Sequence, residues 1–583
     1  MPDVTETDLT VVAPNETSVG CPQISPLFPK THADLDATLD SLYRSDTFKL
    51  GAYELLGGAI NTYGLVLHWQ GSESHLKPIL IAAHQDVVPV NPTSVDQLTH
   101  PPYSGHFDGT WIWGRGSADD KADFVSQLHV LPNISVEQLL AAGFKPQRTV
   151  VFAYGIDEEA SGTEGAGSLA VYLESTYGAD GFAMLVDEGG KDVKDAVIFA
   201  LSGVSEKGYF DALIEVFTSG EHPSIPPVHT SIGILSLMIV EIEKNAFQPE
   251  FSRSGTGFAS AQCAAMYDPK FTPSLRALAR KALTDDQALE EFKRALISLN
   301  PIVGVMLKTT QAVDLIQGGV KVNALPEKAP AVINHRIAEH SSTEEVQQHI
   351  MELLTPIAAE YNLSIDAFGK ALDMGGVKGG KVVLSDAFGS ALQPSPVSPL
   401  DLKGPYGMLS GTIKATLQSS DRYEASGVVI MPSLGLDTQF YWNLTRHIFR
   451  YSHRSTDDLY NGLHTVDEAV RGESIIEQIR FFTKLILNGD ETYCVARLGA
   501  LRRPQGGSGS VPWCDLNKFG AVTLRGYILP PQQRFRICRS AHVVGYGFYA
   551  SILPVMVLWL RENRGGVSVG SGRPVRTLPH QSR

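Results

Sequence analysis

Three short apolar runs in the first third of the chain each end in acids or histidine beside glycine, and few folds accommodate that pattern. The first, from Pro78 to Ala83, runs into His84, Gln85 and Asp86. The second, from Val150 to Gly155, reaches Asp157, Glu158 and Glu159 before Gly162. The third, from Phe182 to Val186, ends in Asp187 and Glu188, followed by Gly189 and Gly190. Between the first two, a glycine-punctuated loop from Gly114 to Ala118 delivers Asp119 and Asp120. Continuous apolar runs of this length suit strands buried on both faces, and helix-like stretches such as "SVEQLLAAG" and "GAGSLAVYLESTYG" separate them. That alternation, from about 61 to 208, predicts an α/β fold: a mixed, mostly parallel sheet covered by helices. Ligand groups then gather at the strands' C-terminal ends.

The chemistry of those ends is that of a metal site. Strand side chains alternate faces, so His84 and Asp86 emerge on one side, which suits an imidazole ligand oriented by a carboxylate. Clustered carboxylates repel one another unless cations neutralise them. Five scattered cysteines offer neither a Cys-x-x-Cys pattern nor a disulfide framework, so the donors are His, Asp and Glu rather than a thiolate set.

The words "AAHQDVVPV", "HPPYSGHFDGTWIWGRGSADDK", "GIDEEASGTEGA", "LVDEGG", "VHTSIGIL", "GGVKVNALPEKAPAVINHRI" and "GLHTVDE" span roughly residues 61 to 488. Together they resemble the M20 family of metallopeptidases and, within it, the fungal carboxypeptidase S branch. The resemblance implies a zinc-exopeptidase-type catalytic domain with an inserted α+β lid or dimerisation domain, and two zinc ions per chain. It implies His84 on one ion, Asp119 as the bridging carboxylate, Glu159 on one ion, an acid of the Asp187–Glu188 pair on the other, and His464 completing the set. Glu188 is the first choice of that pair, with Asp187 its competitor. Asp86 would orient His84, Glu158 would be the general base, and His222 in "TSGEHPS" would steady the oxyanion. Histidines of that kind often act across a dimer, which makes a homodimer one expectation. Arg336 in "INHRI", with Asn323 in "VNALP", would hold the substrate's terminal carboxylate, a task suited to a planar guanidinium. The implied activity is hydrolysis of the C-terminal peptide bond of short or N-blocked peptides. The alternatives are an N-acyl amino acid amidohydrolase or synthase with the same site, or an inactive protein with a membrane-tethered tail.

A net charge of −15 argues against a nucleic-acid partner. At 583 residues the chain can hold several domains. The expected division is an N-terminal region at 1–60, catalytic parts at 61–208 and 372–488, the insert at 209–371, and a tail at 489–583. A segment that relatives carry is expected to be missing between Ile60 and Asn61. In the tail, residues 542–560 are nearly free of charge and reach membrane-spanning length, although Pro554 and glycines interrupt them; translated noncoding sequence is the competing reading. The polar, acidic N-terminus shows no signal or anchor, whereas the resemblance and four Asn-x-Ser/Thr triplets point to the vacuole or secretory pathway.

Overall fold

The computed structural model describes residues 48–51 and 63–499, apart from short stretches at 129–138, 140–143, 190–191, 195–196, 221–223, 225, 373–378, 424–426 and 436–437. The Ile60–Asn61 junction, His222 and the segment 542–560 lie outside the described residues.

A nine-stranded mixed sheet forms the first body. At its centre Ile79–His84 lies parallel to Val150–Gly155 on one side and to Met184–Asp187 on the other, and Ile448–Arg450 continues the parallel block. Every residue of Ile79–His84 and of Val150–Gly155 is buried, which is why these strands read as unbroken apolar runs. Alternate side chains still divide between two cores. Ile79, Ile81, Phe152 and Tyr154 pack with the helices Lys121–Leu128, Pro405–Gln418 and Gly472–Gly499. Leu80, Ala82, Val151 and Ala153 pack with the helix Ala166–Tyr177. Antiparallel pairings close the sheet outward, with Leu65–Trp69 beyond Val150–Gly155 and Val197–Glu206 beyond Ile448–Arg450. The predicted α/β architecture with a mostly parallel centre is the one observed.

A second, six-stranded sheet runs Thr310–Ile316, Lys328–Ile337, Gly208–Thr218, Gly380–Asp386, Ser364–Ala367, Lys370–Leu372. It is antiparallel except where Ser364–Ala367 meets Gly380–Asp386. The helices Ser231–Lys244 and Thr343–Glu360 bury Leu235, Met238, Ile350 and Leu354 against it. The strand Gly380–Asp386 carries this sheet past residue 371, where the sequence pattern had placed the end of the insert. Four helices between Thr256 and Met306 were not anticipated. They build a core around Phe258, Leu289, Phe292 and Leu296, and the three- and four-residue spacing of the last three in the helix Asp286–Leu299 is the signal that could have found them. Buried Cys263 nearby is disulfide-bonded, a bond that the scattered cysteine spacing did not reveal.

A third, small sheet matters most for the site. Trp111–Trp113 pairs antiparallel with both His106–Phe107 and Ala469–Arg471. This ladder brings the loop that carries Asp119 alongside the turn that carries His464.

Candidate metal centre

The strand Ile79–His84 ends with His84 pointing into a ring of acids, and the side chain is almost fully buried. Its Nε2 lies 3.1 Å from Asp119 Oδ1, 3.5 Å from Glu188 Oε1 and 3.8 Å from Glu158 Oε2. The other oxygen of Asp119 faces the opposite way, 3.0 Å from His464 Nε2. His464 Nε2 in turn lies 3.1 Å from Glu159 Oε1. A single carboxylate therefore stands between two imidazoles, one oxygen toward each, with Glu188 on the His84 side and Glu159 on the His464 side.

The sequence order explains how this is built. Asp86 turns back from the end of the strand and accepts from His84 Nδ1 at 3.2 Å. The same carboxylate accepts the backbone N–H groups of Glu158 and Glu159, each at 3.0 Å. One buried acid thus orients the histidine and fixes the turn Glu158–Ala160 that presents both glutamates. Asp157 braces that turn from outside, accepting the N–H of Glu164 at 2.8 Å and of Gly165 at 2.7 Å. Adjacent glutamates on so tight a turn diverge: the Glu158 side chain is 25% exposed and that of Glu159 only 7%. Of the acidic pair after the third strand, Glu188 reaches His84, whereas Asp187 Oδ1 accepts its neighbour's own N–H at 3.0 Å. His464 occupies a left-handed backbone position, φ 61°, in a turn tied by Thr465 Oγ1 to Gly462 O at 3.0 Å.

The electrostatics are those of a cluster that demands positive charge. Burial, then Asp119, pushes the Glu159 carboxyl up to about 7. Burial, then Asp119 and Asp120, holds Glu188 well above the usual carboxylate range. The bond to Asp119 lifts the His464 imidazole to about 9. Burial opposes charge on His84, yet Glu188 and its other acid neighbours raise its imidazole well above the usual value. Burial works against Asp119 too, but the bonds to His464 and His84 pull its carboxyl far down.

These donors fit zinc. A tetrahedral ion with bonds of about 2.0–2.1 Å holds its ligand atoms about 3.3–3.4 Å apart. The four imidazole–carboxylate contacts, His84 with Asp119 and Glu188 and His464 with Asp119 and Glu159, run from 3.0 to 3.5 Å. Donor atoms of His84, Asp119 and Glu159, and of His84, Glu158 and Glu188, all lie within 4.8 Å of one another. The nitrogen and oxygen donors suit zinc or a related divalent ion.

Two proposed site residues lie apart from this cluster. Exposed Arg336 stacks its guanidinium over the Tyr209 ring, 4.6 Å from the centroid, on the second sheet. Asn323 is exposed in the connection between Thr310–Ile316 and Lys328–Ile337. Sequence neighbours of His464 point elsewhere, since buried His453 meets the Tyr451 hydroxyl at 2.8 Å and stacks on Phe481.

A supporting layer of charged residues surrounds the cluster; the sequence reads Asp120 and Lys121 as loop-structuring residues, and Arg115, Asp123, Arg454 and Glu468 escaped it. Arg454 sits 3.0 Å from Asp123 and 3.9 Å from Asp120, and Asp120 lies 3.4 Å from the His84 N–H. Lys121, also buried, donates to Gln85 O. Arg115 and Glu468 form another such pair, 3.2 Å apart. Arg115, Asp120, Lys121 and Glu468 share the ligands' words, whereas Asp123 and Arg454 lie outside them. Charges that pair across hundreds of residues leave no periodicity.

Residues 80–488 match the model of Peptidase family M20/M25/M40. Carboxypeptidase S of Saccharomyces cerevisiae is 38% identical over 447 residues, covering 74% of this chain and 75% of its own. The N-fatty-acyl-amino acid synthase/hydrolase PM20D1 of Homo sapiens is 30% identical over 439 residues, covering 74% and 78% respectively. The crystal structure of human carnosine dipeptidase 1 superposes with a TM-score of 0.49 at 14% identity, covering 80% of this chain and 93% of that one. By the extent of the family match and the identity to carboxypeptidase S, the chain belongs to peptidase family M20/M25/M40 and is a metallopeptidase.

Proposed function

We propose that this enzyme is a dinuclear zinc carboxypeptidase that releases the C-terminal residue of short or N-blocked peptides. The observation that carries the reading is the Asp119 carboxylate, shared between His84 and His464 with one oxygen toward each. In this assignment His84, Asp119 and Glu188 hold one ion, and Asp119, Glu159 and His464 hold the other. Asp187 drops behind Glu188 because its carboxylate is engaged with the adjoining N–H. A zinc pair held there would supply a water of lowered pKa and a Lewis acid for the scissile carbonyl.

The chain's own groups do the rest. Asp86 holds the His84 tautomer and the Glu158–Glu159 turn. Glu158, the more exposed of the two glutamates, takes the proton of the attacking water and passes it to the leaving amine. His222 is assigned to the oxyanion by its place in the sequence. Arg336, exposed and planar, is assigned with Asn323 to the substrate's terminal carboxylate. The second sheet and its helices would act as the lid and, in a homodimer, as the interface. The vacuole or secretory pathway is the location that the relationship to carboxypeptidase S supports. Among the described residues, no helix is long and apolar enough to cross a membrane.

The PM20D1 relationship favours a second reading, hydrolysis or synthesis of N-acyl amino acids by the same centre. Parallel assays with blocked dipeptides and long-chain acyl amino acids separate the two. Release from the dipeptides, lost on chelation and restored by zinc, supports the carboxypeptidase. Turnover confined to the acyl amino acids replaces it with the second reading.

A further inference from the structure

We propose that Arg115 and Glu468 form a positioning clamp that fixes His464 against Asp119 and so sets the affinity of the ion on the His464–Glu159 side. The inference rests on the two-ion reading above. Asp119 and His464 come from loops far apart in sequence, and the ladder that aligns those loops stops short of both. Its last register pair on that side is Trp113 with Ala469, followed by the Gly114 N–H donating to Glu468 O at 3.0 Å. Beyond that point side chains take over.

Arg115 Nη2 donates to Thr465 O at 2.8 Å, one residue past His464. Its Nη1 donates to Val88 O at 3.3 Å and Pro89 O at 3.2 Å, in the segment that follows Asp86. Its Nε stands 3.2 Å from Glu468 Oε2, a charge pairing whose angle falls short of a hydrogen bond. The other oxygen of Glu468 accepts the N–H of Ala118 at 3.1 Å and of Asp119 itself at 3.3 Å. The Glu468 side chain is 1% exposed, so water cannot substitute for it. A planar guanidinium serves these diverging acceptors at once, and a lysine ammonium at the same place cannot.

The clamp acts on one ion more than the other. His84 is fixed by its strand and by Asp86, and Arg115 reaches that segment only at Val88 O and Pro89 O, beyond both residues. His464 sits on a left-handed turn whose next carbonyl is held by Arg115. Loosening the clamp therefore moves His464 relative to Asp119 while leaving His84 in place. Partners that orient metal ligands typically change metal affinity by about 10–100-fold when removed.

The test titrates metal-free protein with zinc against a competing chelator, comparing wild type with Arg115→Lys and Glu468→Gln. Two binding steps are expected in wild type. The variants should keep the tighter step within about threefold and weaken the other by about 10–100-fold. The metal-free variants should still unfold cooperatively, at a melting temperature lowered by the loss of a buried ion pair, and their peptidase activity should recover as zinc is raised. Unchanged binding in both variants overturns the clamp. Equal weakening of both steps also overturns it and leaves a merely structural pair. If Arg115→Lys fails to fold, Glu468→Gln decides alone, since it conserves volume. A single step in wild type overturns the two-ion reading and the clamp with it.

Discussion

Replacing Asp86 by alanine should damage the metal-free protein as well as its metal binding. The carboxylate accepts three hydrogen bonds, at 3.2, 3.0 and 3.0 Å, and the residue is only 3% exposed. A hydrogen bond to a charged group contributes about 1.5–3 kcal/mol, and a buried donor left unpaired costs about 1–3 kcal/mol. Two backbone N–H groups lose their acceptor, and so does the His84 ring. Relief of burying a carboxylate offsets part of this, leaving an expected loss of about 3–6 kcal/mol, a large share of the ~5–15 kcal/mol that stabilises an ordinary domain. The midpoint of urea unfolding of the metal-free protein measures it, with Glu158→Ala as the control because that side chain is partly exposed and accepts none of these bonds. Zinc titration of the same variant should show the His84-side ion weakened by about 10–100-fold. A midpoint and a zinc affinity both equal to wild type would refute the claim that Asp86 organises the centre.

Glu158→Ala should lower turnover by about 10²–10⁴-fold while both ions stay bound; loss of an ion on metal analysis would reassign Glu158 as a ligand. Gly189→Ala should weaken metal binding through its neighbour Glu188, because an added Cβ would lie 2.5 Å from Arg450 C and 2.6 Å from Arg450 O, rigid backbone that must shift. Overpacking of this kind costs about 1–3 kcal/mol, read by thermal unfolding alongside a zinc titration. Burial holds the His335 imidazole down at about 4, below its unfolded value near 6.5, so the unfolded chain takes up the proton first as pH falls. Its stabilising contribution is complete above about pH 6.5 and declines toward pH 4 by up to about 1.4 kcal/mol per unit. Wild type should therefore lose stability relative to His335→Leu, a site packed beside Phe210 and Phe247, as pH falls through that window, and parallel unfolding midpoints would contradict the assignment.

Much of the centre was legible because strand geometry maps sequence spacing directly onto faces. His84 and Asp86, two residues apart at a strand end, meet as expected, and the acid-terminated strands lie side by side in one parallel block. The adjacent pair Asp187 and Glu188 was not separable by sequence, since either could face inward; in the structure Glu188 is the one 3.5 Å from His84, and Asp187 Oδ1 accepts the Glu188 N–H. Buried Arg454 and Asp123, and the Arg115–Glu468 pair, were invisible for a different reason. Charged residues normally signal solvent, and only the fold reveals which of them lie within reach of an opposite charge. The helices between Thr256 and Met306 fell inside a stretch read as strands and two helices, although Leu289, Phe292 and Leu296 carried their period.

The account stands on Asp119 serving two ions at once. Its most direct measurement is the zinc content of purified protein, together with peptide release before chelation, after chelation and after zinc is returned. About two zinc ions per chain, with Asp119→Ala losing both of them and the activity, is the predicted result. One ion per chain, or Asp119→Ala retaining two, would contradict it.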